Sequence, residues 1–181
     1  MIVNDFLECS FSNDDAKYIG EITKSDTNSF DCVFLNSGDS YTFDADSMKI
    51  TSLFGAIPAG TQLASYSVYT ADATQNLQTG GFAAVTFADN SRKLGQLTDV
   101  DGSNNVSITF LDSGSKYVIG SDLAIISSDD VHQTSAVTGI EPYSQGTPVI
   151  VVTAADAGSG NALKTSAVIN RFMPKNPDTI V

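Results

Sequence analysis

The sequence predicts an all-β fold that uses one unit twice. Three observations predict it: a composition that favours turns over helices, short segments alternating apolar and polar residues, and sequence blocks that recur at a fixed offset. Of 181 residues, 18 are Asp and only 3 are Glu, while Leu, Lys and Arg number 10, 7 and 2. Asp, Ser and Thr compete for backbone hydrogen bonds and favour turns; Glu, Leu, Lys and Arg favour helices. A helical bundle or coiled coil is thereby excluded. A hydrophobic content of 41% excludes a disordered acidic tail.

Recurrence at a fixed offset bears on the whole fold. Phe11-Ser12-Asn13-Asp14-Asp15-Ala16-Lys17-Tyr18-Ile19-Gly20-Glu21-Ile22-Thr23 is answered by Phe87-Ala88-Asp89-Asn90-Ser91-Arg92-Lys93-Leu94-Gly95-Gln96-Leu97-Thr98. Both run strand, polar turn, base, Gly, polar, aliphatic, Thr. Phe34-Leu35-Asn36-Ser37-Gly38-Asp39-Ser40-Tyr41 is then answered by Phe110-Leu111-Asp112-Ser113-Gly114-Ser115-Lys116-Tyr117, 76 residues on, with a one-residue slip between the blocks. The connecting segments also pair, at an offset near 85: Gly60-Thr61 and Val68 to Ala73 with Gly146-Thr147 and Val152 to Ala157. Ala167 to Phe172 resembles Phe82 to Phe87, the strand that opens the second copy. The expected units are residues 1–81, residues 82–165, and a C-terminal strand and tail at 166–181 that resembles the start of a third.

Each element has a local reason. Phe30, Cys32 and Phe34 alternate with Asp31 and Val33, and Val106, Ile108 and Phe110 with Ser107 and Thr109, the pattern of half-buried strands. Asn36-Ser37-Gly38-Asp39 and Asp112-Ser113-Gly114-Ser115 carry the chemistry of hairpin turns. Gln62 to Thr70 and Pro148 to Thr153 read as linking strands, with Pro58 and Pro142 placed ahead of them, where a missing donor costs little. No segment shows a period of 3.6.

The unit of strand, acidic turn, Lys17-Tyr18-Ile19-Gly20-Glu21-Ile22 and the hairpin Phe30-Asp31-Cys32-Val33-Phe34-Leu35-Asn36-Ser37-Gly38-Asp39-Ser40-Tyr41 resembles the Tudor-like branch of the SH3-like barrels. The likeness covers roughly residues 7–51 and 83–127, about half the chain. It implies two tandem small barrels with additional linking strands. Tudor domains often hold a methylated Lys or Arg in an aromatic cage through cation–π attraction. The resemblance places cage-like positions at Tyr18, Phe34 and Tyr41 in the first copy, and at Phe110 and Tyr117 in the second. Lys93 stands where the first copy has Tyr18.

The remaining chemistry-bearing residues read as structural. Cys9 aligns with Val85 and Cys32 with Ile108, so both thiols replace aliphatic side chains. His132, the only histidine, has Asp129 and Asp130 nearby but no nucleophile elbow. Gly158 to Thr165 lacks the Gly before Lys164 that a phosphate loop needs, and Asp99 to Asn105 carries only part of a calcium loop. No metal, cofactor or catalytic residue is expected, and the chain is expected not to be an enzyme.

The net charge of −12 repels phosphate backbones, so no nucleic-acid partner is expected. No run approaches the roughly 18–20 apolar residues of a membrane span, and no secretory signal opens the chain, so no membrane partner is expected. The expected location is the cytoplasm or a virion assembled there. The expected function is that of a non-enzymatic structural or interaction protein: an accessory component of a large assembly such as a phage capsid or tail, with protein partners or self-association. The alternative is a Tudor-like reader of a basic or methylated peptide.

Overall fold

Alternating apolar and polar residues settle where the backbone extends. The computed structural model describes residues 1–131 and 133–152, and among these residues it has strands and turns and no helix. The first half carries β1 (Phe6–Phe11), β2 (Asp14–Ser25), β3 (Ser29–Phe34), β4 (Ser40–Asp44) and β5 (Leu63–Ala71). The second carries β6 (Phe82–Phe87), β7 (Arg92–Val100), β8 (Val106–Phe110), β9 (Lys116–Ile119), β10 (Ile125–Ser128) and β11 (Val137–Gln145), and β12 (Val149–Ile150) follows. The inward residues of β3 and β8 are those the alternation marks.

All twelve strands join one open antiparallel sheet, in the order β10-β9-β8-β7-β6-β11-β5-β1-β2-β3-β4, with β12 beside β5. From its middle the order reads alike in both directions: β5, β1, β2, β3, β4 one way, and β11, β6, β7, β8, β9 the other. Local geometry recurs with it. Leu7 faces Gly20 as Ala83 faces Gly95, and Cys32 faces Tyr41 as Ile108 faces Tyr117. The ladder shifts register after Ile22 in one half and after Leu97 in the other. Gly38 donates its N–H to the Phe34 carbonyl and Gly114 to that of Phe110, at 2.7 and 2.8 Å. Both glycines have positive φ, 75° and 72°, which their side-chain-free backbone adopts without strain.

Three expectations meet a different arrangement. Hydrogen bonding does not divide the chain into two separate barrels, because β11 pairs with both β6 and β5 and makes the sheet continuous. Within the expected linking strand 148–153, the described residues 148–152 do not play the part of β5 in the second half. That part belongs to β11, in which Val137 faces Phe87 as Leu63 faces Phe11. Pro142 lies inside β11, opposite Ala83, rather than ahead of a strand; its carbonyl still accepts the N–H of Asp72 at 2.9 Å. The segment 166–181, the loop at 158–165 and His132 lie outside the described residues.

The core comes in three parts. Leu7, Phe11, Ile22, Phe30, Phe34 and Phe43 lead a cluster in the first half, and Val85, Phe87, Leu97, Ile108, Phe110 and Ile119 lead its counterpart. Phe6, Tyr69, Ala84, Leu94 and Tyr143 form a third between them. Because β6 sits mid-sheet with apolar groups on both faces, Ala83, Ala84 and Val85 are buried consecutively.

Gly20 and Gly95 let neighbouring strands cross closely. A Cβ at Gly95 would stand 2.5 Å from Ile108 Cγ1 and 2.9 Å from the Thr109 carbonyl oxygen; one at Gly20 would meet Cys32 Sγ and stand 3.0 Å from the Val33 oxygen. Replacing either with Ala is expected to lower stability by about 1–3 kcal/mol, the usual range for overpacking. A Gly102→Ala control, with nothing within 4 Å of the new methyl, is expected to change little. Urea unfolding of the three variants measures this.

Candidate functional site

The five cage-like positions fall into two separate groups. Tyr18, Phe34 and Tyr41 come together in the first half: the ring centroids of Tyr18 and Phe34 are 5.4 Å apart and those of Phe34 and Tyr41 5.5 Å. Phe110 and Tyr117 meet in the second half at 5.1 Å. Phe34, Tyr41, Phe110 and Tyr117 are buried, with at most 1% of their surface exposed, and are members of the two outer cores. A ligand reaching those four rings would first have to displace their neighbours. Tyr18 is half-buried and packs on Phe11 at 5.2 Å. Its hydroxyl donates to Asp14 Oδ2 at 2.6 Å, which holds the Asp14 carboxyl below the usual range and the Tyr18 hydroxyl above its own.

The densest chemistry lies elsewhere, at the seam between β5 and β11. Phe6 faces Tyr69 across the β1–β5 ladder, and Phe82 faces Tyr143 across the β6–β11 ladder. The rings then cross over: Phe6 packs edge-on against Tyr143 at 5.5 Å, and Phe82 against Tyr69 at 4.9 Å. The Arg92 guanidinium caps this seam, 5.1 Å above the Phe6 ring. It donates to Glu21 Oε1 at 2.5 Å, to the Tyr143 hydroxyl at 2.5 Å and to the Asn4 carbonyl at 3.2 Å. Burial works to lower the Arg92 pKa, and the bonds to Tyr143 and Glu21 outweigh it, so the net shift is upward. A planar fork with five donors suits this three-way grip as an ammonium would not. A cleft of about 440 Å³ opens beside it, lined by Asn4, Asp5, Thr70, Glu141 and Tyr143 among others.

Family models, curated proteins and solved structures show no match to this chain.

Sequence reasoning missed the seam because its members come from β1, β2, β5, β6, β7 and β11. The available signal was the lone Arg among the first 152 residues, set in the turn block beside Lys93. The thiols of Cys9 and Cys32 are both free and buried. Burial pushes the Cys9 thiol well up and that of Cys32 up to about 12, so neither is a ready nucleophile at neutral pH. Asp101, in the calcium-like loop, spends its oxygens on Ser103 and Asn105. Among the described residues no group of three His, Cys, Asp or Glu could hold a metal ion, and no helix is long and apolar enough to cross a membrane.

The remaining acids are chiefly turn makers. Side-chain hydrogen bonds from Ser47, Thr74, Ser91 and Asn105 lead the causes that lower the carboxyls of Asp44, Asp72, Asp89 and Asp101. A lowered folded-state pKa contributes stability above the unfolded value, and that contribution is lost as pH falls through the folded one. The urea midpoint is thus expected to hold near neutrality and fall as pH drops below about 4. Asp5, raised by burial, contributes with the opposite sign. Arg92→Ala leaves Glu21 without its partner and is expected to destabilise by about 2–4 kcal/mol. Tyr143→Phe, which removes one hydroxyl from the same grip, is expected to cost about 1 kcal/mol. The same urea titration ranks the two.

Proposed function

We propose that this chain is a non-enzymatic structural or interaction protein, an accessory component of a large protein assembly such as a phage capsid or tail. In this reading its two halves are SH3-like units related by internal duplication, each a small barrel opened where the shared sheet joins them. The strand order that repeats outward from β5 and β11 supports the duplication. The bridges Phe43–Ile50 and Lys49–Gln62, which lead the chain from β4 back toward the start of β5, support the barrel-like curl of the first half.

The observation that carries the functional reading is the fixed seam. The β5–β11 ladder and the Arg92 grip hold two similar units at one spacing, and two similar surfaces at a fixed spacing suit multivalent docking on a repetitive partner. Gradient sedimentation of native material from the source, with the protein detected by antibody, tests this. Co-migration with particles of high mass is expected. Recovery solely in the low-mass fractions would overturn the reading.

A reader of methylated peptides is the second reading, and burial of four of the five cage-like rings weighs against it. Titration with a trimethyl-lysine peptide is expected to leave the aromatic NMR signals unmoved. A saturable shift that disappears in Tyr18→Ala would restore the reader.

A further inference from the structure

The two halves differ most where their frames match. Cys9 faces Tyr18 in the β1–β2 ladder, and Val85 faces Lys93 in the β6–β7 ladder. Tyr18 and Lys93 thus hold the same place, as do Asn36 and Asp112 in the two hairpin turns. In the first half this corner is aromatic, with Tyr18 over Phe34 and the Tyr41 hydroxyl accepting the N–H of Ile57 at 3.1 Å. In the second half it is charged. Lys93 Nζ lies 3.6 Å from Asp112 Oδ2, 3.6 Å from Asp130 Oδ2, and 5.5 Å from the centre of the Phe110 ring. The Asp112 side chain is 4% exposed, that of Asp130 9% and that of Lys93 20%.

The Lys93–Asp112 pair lies mostly withdrawn from water, an expensive place for charged groups. The Oδ1 atom of Asp112 is buried without a hydrogen-bond partner. The fold does not demand this cluster, since the first half is built without it. An amine, a carboxyl and a second carboxyl within one another's reach, sheltered by Phe110, are also what an amide-forming condensation needs. The carboxyl carbon of Asp112 is one bond beyond its oxygen, so a small side-chain rotation brings it toward the separation from which attack proceeds, roughly 3–3.5 Å.

We propose that Lys93 and Asp112 join in an intramolecular isopeptide bond, with Asp130 carrying the proton. Asp130 takes a proton from the Lys93 ammonium. The freed amine attacks Cγ of Asp112 and a C–N bond forms. The C–O bond to one carboxyl oxygen breaks, and that oxygen leaves as water with two protons from the Lys93 nitrogen, one of them relayed by Asp130. An ammonium and a carboxylate become one amide and one water, with no change of oxidation state and no further reactant. The product is neutral and ties the turn after β8 to β7.

Intact-mass measurement of the full chain, folded for several days at physiological temperature and then denatured, tests this. The wild type is expected to be lighter than its sequence by one water, about 18 Da. Its tryptic map is expected to show a branched peptide through Lys93 and Asp112, uncut after Lys93. Lys93→Arg, Asp112→Ala and Asp130→Asn are each expected at full mass, and circular dichroism establishes that Asp130→Asn is folded. A wild type at full mass overturns the proposal, leaving an ion pair only. So does a lost water that maps to a cyclic imide at Asp101-Gly102, or an unimpaired cross-link in a folded Asp130→Asn.

Discussion

The molecule rests on a short ladder of three residue pairs: Tyr69 with Gln145, Thr70 with Ser144, and Ala71 with Tyr143. A small sheet ends in a strand whose outer amides and carbonyls face water or a neighbour. In this chain the two halves place their last strands, β5 and β11, at that position and satisfy one with the other. The apolar side chains follow. Phe6 and Phe82 each face a tyrosine in their own half and pack against the tyrosine of the other. Such edge-on pairs contribute about 0.5–1.5 kcal/mol each beyond the area they bury. Chain 146–151 then continues along β5: Gly146 donates to the Val68 carbonyl, Val149 faces Tyr66, and Val151 donates to the Ala64 carbonyl. The inner edge of the first half is thereby covered for most of its length.

The parts legible in the sequence were those fixed by local chemistry. The all-β class followed from the excess of Asp, and the structure shows why. Asp14, Asp44, Asp72, Asp89 and Asp101 each accept backbone or side-chain bonds from residues two to four positions on, which is turn formation within reach of a short side chain. The paired hairpins at Gly38 and Gly114 were legible for the same reason. The β5–β11 equivalence was not. Leu63-Ala64-Ser65-Tyr66-Ser67-Val68-Tyr69-Thr70-Ala71 and Val137-Thr138-Gly139-Ile140-Glu141-Pro142-Tyr143-Ser144-Gln145 share a tyrosine at the matching seventh place and little else. Only two of the nine residues of β11 are buried, so few positions carry a pattern, and Pro142 reads as a strand breaker. Arg92 stood out as a lone Arg, but its partners Asn4, Glu21 and Tyr143 were not legible, since only the sheet order brings them together.

The halves share a frame and differ in the contents of one corner. The close crossing at Gly20 and Gly95, the register shifts and the hairpin bonds are common to both. They differ in how the sheet continues past its fourth strand. In the first half single-residue bridges bring Ile50 to Phe43 and Lys49 to Gln62, whereas in the second β10 lies on β9 with its own register shift. They differ again where Tyr18 is replaced by Lys93. Features set by backbone geometry are shared, and those carried by side-chain chemistry differ.

The outward-reading strand order has a consequence for symmetry. Antiparallel pairing of β5 with β11 places a pseudo-twofold axis between them, normal to the sheet, which carries β1 onto β6 and β2 onto β7. One polypeptide thus has the layout of a homodimer whose protomers have been fused. A true homodimer receives every substitution twice, once on each side of its dyad. Here Lys93 stands at the place of Tyr18, and Arg92 at that of Lys17, so the axis holds in the backbone while the side chains on its two sides differ.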